Sequence, residues 1–361
     1  MIYTKLHFQV FAVLVVLLGW SAQGNEPNAE GMLVIGHRGA PGHWGENTIA
    51  GFRHAIELGA DGIELDLILT ADHQLAVFHD WELNRLIGEN QLNTEYPDRA
   101  VVIDGERVWL TRDFTMDELQ VLTVLQRGSC ATAEVDAIAN PELRICSYEE
   151  ALDMFDELRH ERSDLVLYTE VKTSDKYLTF EEIDKVAGLV VNELVEAGEL
   201  EHPESHWLQS FDSVVMDSFV SIPLISEFKK SQLLSCEPGL VTSANPVILD
   251  IEHIESAMDL RDFLSVHVGG RGMQIVHGWK LMWWHLITVK QINCAEIMDE
   301  LNLDMHAFTF RDSRFSEDYE DRPVLAPDQS KFRTASEETG FFRSNNFDAI
   351  MSDCIESAIE Q

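Results

Sequence analysis

The chain is poor in positive charge, in cysteine and in long apolar runs. Its 361 residues carry 26 Lys and Arg against 63 Asp and Glu, a formal charge of −37. A surface of that sign repels nucleic acid and anionic lipid, which excludes a polyanion-binding role. An anionic small molecule can bind only where a local group of cations overrides the field. The five cysteines, Cys130, Cys146, Cys236, Cys294 and Cys354, show no metal-type spacing. No repeat or low-complexity tract occurs. The apolar run Phe8 to Trp20 is about a dozen residues, short of the roughly 20 that a membrane span needs. With Lys5 before it and Ser21-Ala22-Gln23-Gly24 after it, the run reads as a signal peptide over residues 1–24, cut after Gly24. No cysteine follows it to take a lipid, so no stable membrane anchor is expected. Export makes disulfides possible, and Cys130 and Cys146 are near enough in sequence to pair.

What is present is an alternation of strands and helices. Met32 to Ile35 is a short apolar run, followed by Gly36-His37-Arg38-Gly39 and then Glu46-Asn47-Thr48. Ile49, Phe52 and Ile56 recur at helical spacing until Gly59 stops them. Asp61 to Leu69, Leu75 to Phe78, Leu165 to Val171, His206 to Gln209, Gln232 to Ser235, Met305 to Phe310 and Ala349 to Ser352 read as strands. Capping boxes at Thr115–Glu118, Ser147–Glu150 and Thr179–Glu182 open helices. Residues 81–144 break the rhythm and read as an insertion, with a hairpin over Ala100 to Leu110 turning at Asp104-Gly105. The pattern predicts a parallel α/β barrel over 25–361, because polar residues stand at the ends of many successive strands. One of these strand assignments is wrong or the barrel is irregular around Ile68–Phe78. Residues 240–300 are the least readable part.

Chemistry concentrates at the strand ends. On a strand, Glu64 and Asp66 share one face and Ile63, Leu65 and Leu67 the other. Glu170 and Lys172 repeat that arrangement. Carboxylates buried side by side need a cation, and three oxygen donors facing one axis suit Ca²⁺ or Mg²⁺. An edge strand with a solvated polar face is the structural alternative. A glycosidase carboxylate pair ranks last, because it has no use for the neighbouring histidines and arginine. His37 and His79 close two strands beside the carboxylates. One can accept a proton from an attacking hydroxyl while the other protonates the leaving oxygen. Arg38 offers a fork suited to phosphate. Together these residues describe a metal-assisted phosphodiesterase.

The same residues resemble the glycerophosphodiester phosphodiesterases. The matching pieces are His37-Arg38-Gly39, Glu46-Asn47-Thr48, Glu64-Leu65-Asp66, His79-Asp80, Glu170-Val171-Lys172 and Gln209-Ser210-Phe211-Asp212, with Phe308-Thr309-Phe310-Arg311 near the end. Tyr96-Pro97-Asp98-Arg99 and Asp113-Phe114-Thr115 look like the insertion of the periplasmic branch. The resemblance implies an irregular TIM (β/α)8 barrel with an inserted small subdomain. It implies hydrolysis of glycerophosphodiesters to sn-glycerol 3-phosphate and an alcohol. By the same resemblance Glu64, Asp66 and Glu170 bind the divalent metal, calcium in the periplasmic branch. His37 and His79 become the acid/base pair, Arg38 and Lys172 hold the phosphate, and Glu46 joins the substrate-binding residues. Gly45, Ser352-Asp353-Cys354 and residues 240–300 depart from the family pattern where the head-group pocket is shaped. A phospholipase D-like enzyme acting on lysophospholipids or sphingolipids remains an alternative. The run Trp279 to Trp284 offers that reading an apolar path, although as core these aromatics need no ligand. A non-catalytic phosphodiester-binding barrel is the other alternative.

Overall fold

Eight short strands lie side by side, all parallel, and close on themselves. They are β1 (Leu33–Gly36), β2 (Gly62–Leu69), β3 (Val166–Val171), β4 (His206–Ser210), β5 (Lys229–Ser235), β6 (Ile275–Trp279), β7 (Asp304–Phe310) and β8 (Ala349–Ser352). Each pairs with the next and β8 returns to β1. The structure is a computed structural model that describes residues 31–126, 143–237, 239, 241–311, 332 and 334–359.

Strand alternation sorts the apolar residues into two clusters. Ile35, Val166, Tyr168, Trp207, Ile275, Ala349 and Met351 fill the barrel. The larger cluster, including Leu65, Leu67, Leu167, Leu208, Val276 and Ile350, packs the outer strand faces against the helices. The capping boxes at Thr115, Ser147 and Thr179 form as predicted, and Thr48 caps the helix Ile49–Glu57 by accepting the Gly51 N–H. Among the described residues no helix is long and apolar enough to cross a membrane.

Two readings of the sequence change. Leu75–Val77 is no barrel strand: it runs antiparallel to β2 and carries Cys146–Ser147 on its other edge. The vacant place belongs to β6, from the stretch that was hardest to read. Gly278 hides that strand, because a Cβ there would meet Met282 and Trp283 side chains at 2.2 and 2.7 Å. The buried His277 interrupts the apolar run as well. Trp283 and Trp284 are core, whereas Trp279 faces the cavity described below.

The hairpin forms as Val101–Ile103 against Glu106–Val108, with Asp104 and Gly105 both at positive φ, 53° and 89°. Residues 1–24 and Cys130 lie outside the described residues. Cys146 does not pair with Cys130: it is a free thiol, buried in the core on the strand against Val77. Cys354 is disulfide-bonded.

Candidate active site

Alternation inside the barrel builds the site. Ile35, Glu64, Tyr168 and Met351 point inward, so His37, Asp66 and Glu170 point inward one step higher and Lys172 one step beyond Glu170, toward the C-terminal ends of β1, β2 and β3. Register places Asp66 opposite Glu170 and Glu170 opposite Gln209. His79 arrives by a different route. The strand Leu75–Val77 folds back along β2, and the Phe78 N–H binds the Asp66 carbonyl at 2.9 Å. That return brings His79 beside the carboxylates. The cavity above holds about 820 Å³. His37, Arg38, Glu64, His79, Glu170 and Lys172 line it together with an apolar wall that includes Phe211, Leu234, Val241, Trp279 and Phe308.

Glu64, Asp66 and Glu170 each offer an oxygen within 4.8 Å of the others, and all three are buried. Arg38 Nε lies 3.2 Å from Asp66, and Lys172 Nζ lies 2.7 Å from Glu170 and 3.3 Å from Asp66. Burial alone would raise the Asp66 carboxyl, but Lys172 and Arg38 outweigh it and hold the group well below the usual range. Glu64 goes the other way: burial, then Asp66 and Glu170, push it well above the ordinary glutamate value. Asp66 Oδ1 is buried without a hydrogen-bond partner. A hard divalent cation fits this all-oxygen set.

Arg38 has φ 56°, a left-handed conformation that is uncommon for any residue with a Cβ. The turn aims its backbone N–H at Glu64 Oε2, 2.9 Å away. Gly39, φ 87°, continues it, and a Cβ there would lie 2.8 Å from the Gly51 carbonyl carbon. Asn47, also at φ 56°, clasps Asp66: its Nδ2 donates to Oδ2 at 2.8 Å and its Oδ1 accepts the Asp66 N–H at 3.2 Å.

The two histidines are held alike. His37 Nδ1 donates to Asp353 Oδ1 at 2.6 Å, and Arg311 Nε donates to the other Asp353 oxygen at 2.8 Å. His79 Nδ1 donates to Asp80 Oδ1 at 2.5 Å, and Arg85 Nε donates to Asp80 Oδ2. Each aspartate thereby fixes the Nδ1–H tautomer and leaves Nε2 as the reactive nitrogen. Burial lowers the pKa of both rings. For His37, Arg38 adds to the effect and Asp353 opposes it; His79 falls to about 4 under the further influence of Arg38 and Lys172.

Among the expected residues, His37, His79, Arg38, Lys172, Glu64, Asp66 and Glu170 converge here. Glu46 does not line the cavity. Its carboxylate is bound by Arg38 Nη1 at 2.9 Å and by both terminal nitrogens of Arg85, and these ion pairs bring its pKa down to about 2 against the pull of burial. Asp353, Arg85, Arg311 and Gln209 received no role from sequence. Gln209 donates weakly to Glu64 at 3.5 Å and accepts from His277 Nδ1 at 3.2 Å. Asp80 and Asn47 adjoin residues singled out in sequence, a signal that could have found them. Asp353 lies 316 positions from His37, and the departure noted at Ser352-Asp353-Cys354 does not point to that contact.

A glycerophosphodiester phosphodiesterase of Bacillus altitudinis is 49% identical over 63 residues, which cover 18% of this chain and 26% of that protein. The glycerophosphodiester phosphodiesterase of Bacillus subtilis is 29% identical over 205 residues, 56% of this chain and 60% of that one. The chain therefore matches less than two thirds of the length of these relatives. A phosphodiesterase from Oleispira antarctica, solved with the product sn-glycerol-3-phosphate, superposes with a TM-score of 0.56 at 18% identity, covering 92% of this chain and 98% of that one; it shares the fold. The model of the glycerophosphoryl diester phosphodiesterase family matches residues 37–220, from the first histidine past β4, about half the chain. That span holds every metal-ligand, histidine and cationic residue singled out from sequence, and the chain belongs to the glycerophosphoryl diester phosphodiesterase family.

Proposed function

We propose that the protein hydrolyses glycerophosphodiesters, such as glycerophosphocholine or glycerophosphoethanolamine, to sn-glycerol 3-phosphate and an alcohol. One observation carries this reading: two histidines with fixed tautomers flank a carboxylate triad and two cationic side chains at the base of one cavity. Glu64, Asp66 and Glu170 would hold calcium, with magnesium as the alternative, and the bound ion would supply positive charge and Lewis acidity at the phosphate. Arg38 and Lys172 hold the remaining phosphate oxygens against the −37 background. One histidine Nε2 takes the proton of the attacking oxygen and the other gives a proton to the leaving alkoxide.

The finer reading is the exported, calcium-dependent branch. Its two insertion motifs pack on each other: the Tyr96 and Phe114 rings meet edge-on at 5.0 Å, and Arg99 donates to the Asp113 carbonyl at 2.7 Å. The Cys354 disulfide supports an oxidising compartment. Cleavage of a lysophospholipid head group is a second reading, favoured by the apolar wall of the 820 Å³ cavity.

The test is release of choline and sn-glycerol 3-phosphate from glycerophosphocholine by the purified protein, in calcium, magnesium and chelator. Turnover that chelator abolishes and calcium restores is expected. Inactivity on every glycerophosphodiester, with turnover of lysophosphatidylcholine, would replace the first reading with the second.

A further inference from the structure

The His–Asp–Arg arrangements at the two histidines differ in what the arginine does with its remaining nitrogens. Arg311 meets Asp353 through Nε. Arg85 meets Asp80 through Nε, and its Nη1 and Nη2 also grip both oxygens of Glu46, at 2.8 and 2.5 Å. Glu46 Oε1 in turn accepts from Arg38 Nη1 at 2.9 Å. A single guanidinium thus stands between two arms. One runs through Asp80 to His79 and the other through Glu46 to Arg38.

We infer that Arg85 is a positioning residue that sets the acid/base histidine and the phosphate-binding arginine at one fixed separation. This rests on the functional reading above. The chemistry calls for a guanidinium: its planar fork offers three directed donors to two carboxylates at once, and a lysine ammonium cannot span both. Among the described residues, Glu46 is otherwise held by Arg38 alone. Without Arg85 it closes on Arg38 with both oxygens and draws that guanidinium away from Asp66 and the phosphate. Asp80 at the same time loses the contact that fixes its second oxygen, and His79 loses its orientation. Misplacement of reacting groups by about 1 Å costs on the order of 100-fold in rate. Arg85 touches none of Glu64, Asp66 and Glu170, so it acts on geometry and leaves the metal ligands alone. Its side chain is 36% exposed and lines the cavity, which leaves room for a small cation to replace it.

The test uses the full-length, calcium-loaded protein and glycerophosphocholine, with Arg85→Ala and Arg85→Lys. Arg85→Ala is expected to lower kcat about 100-fold, with Arg85→Lys recovering only a small part. Added guanidinium should restore Arg85→Ala at least about tenfold where urea does not, as expected for a missing planar cation. The calcium-dependent rise in melting temperature should stay at the wild-type size in both variants. Arg85→Ala within a few-fold of wild type would overturn the inference. So would failure of guanidinium to rescue a variant that keeps its calcium response, or loss of that response, which would make Arg85 a support of the metal site. Wild type inactive on every glycerophosphodiester but active on bis(4-nitrophenyl) phosphate would refute the substrate reading alone. The Arg85 comparison is then made on that chromogenic diester, and inactivity on both diesters overturns the two together.

Discussion

Replacing Glu64 by glutamine separates stability from metal binding. Glu64 is fully buried and accepts the Arg38 N–H, but among the described residues it forms no ion pair of its own. Two other carboxylates stand within 4.8 Å. At an effective dielectric of 20, one such pair of charges repels by about 3.5 kcal/mol. The proton therefore stays on Glu64 above its ordinary value of 4.5. A carboxyl whose pKa rises on folding costs stability once the pH passes the unfolded value, and the cost grows until the pH reaches the folded one. Glutamine never ionises and removes that cost. In chelator at pH 7, Glu64→Gln should melt at or slightly above wild type. Bound calcium should reverse the order. At 100 times its Kd, calcium adds about 2.7 kcal/mol to wild type. With roughly 2.1 cal/mol/K of unfolding entropy per residue, that is a rise of about 4 °C. The variant should gain little and show little turnover. Thermal melts of both proteins in chelator and in excess calcium decide the matter. A variant that gains the full shift removes Glu64 from the metal site. A chelated variant melting several degrees below wild type would show that the Glu64 carboxylate is charged and stabilising.

His37→Ala and His79→Ala should each lower kcat by roughly 10²- to 10⁴-fold with the calcium response intact, measured by choline release; near-native turnover would assign that ring a structural role. Asp353 is buried, but His37 and Arg311 hold its pKa below the ordinary value, so it contributes stability above about pH 4 that is lost as the pH falls through the lowered value. Asp353→Asn should therefore melt below wild type at pH 7, with the gap narrowing under acid, and a gap that does not change with pH would mean that the charge is irrelevant.

The parts of this fold that could be read from sequence are those where one strand period decides the outcome. Glu64 and Asp66, two residues apart in an apolar run, have to share a face, and with Glu170 they meet as expected. The capping boxes are equally local. β6 escaped because its helix packs so closely that one position has to be glycine, and a short run carrying Gly278 and His277 shows neither alternation nor an apolar block. Leu75–Val77 has a strand composition, but no local signal tells a barrel strand from one that folds back antiparallel. Within the site, the carboxylates, the two histidines, Arg38 and Lys172 were legible, and the side chains that hold them were not. Asp353 acts across 316 positions, and Arg85 looked like any charged residue of a loop. Glu46 was placed with the substrate because its neighbours are, while its contacts are to two arginines.

The left-handed turn at position 38 places two demands on one residue. A conformation with φ 56° favours glycine or asparagine, and any larger residue carries a strain of about 1–3 kcal/mol. The guanidinium is nevertheless the group that reaches Asp66 and Glu46. Folding alone favours a small residue here, whereas the contacts to Asp66 and Glu46 call for a guanidinium. Position 38 is thus where durability and reactivity draw on opposite alphabets.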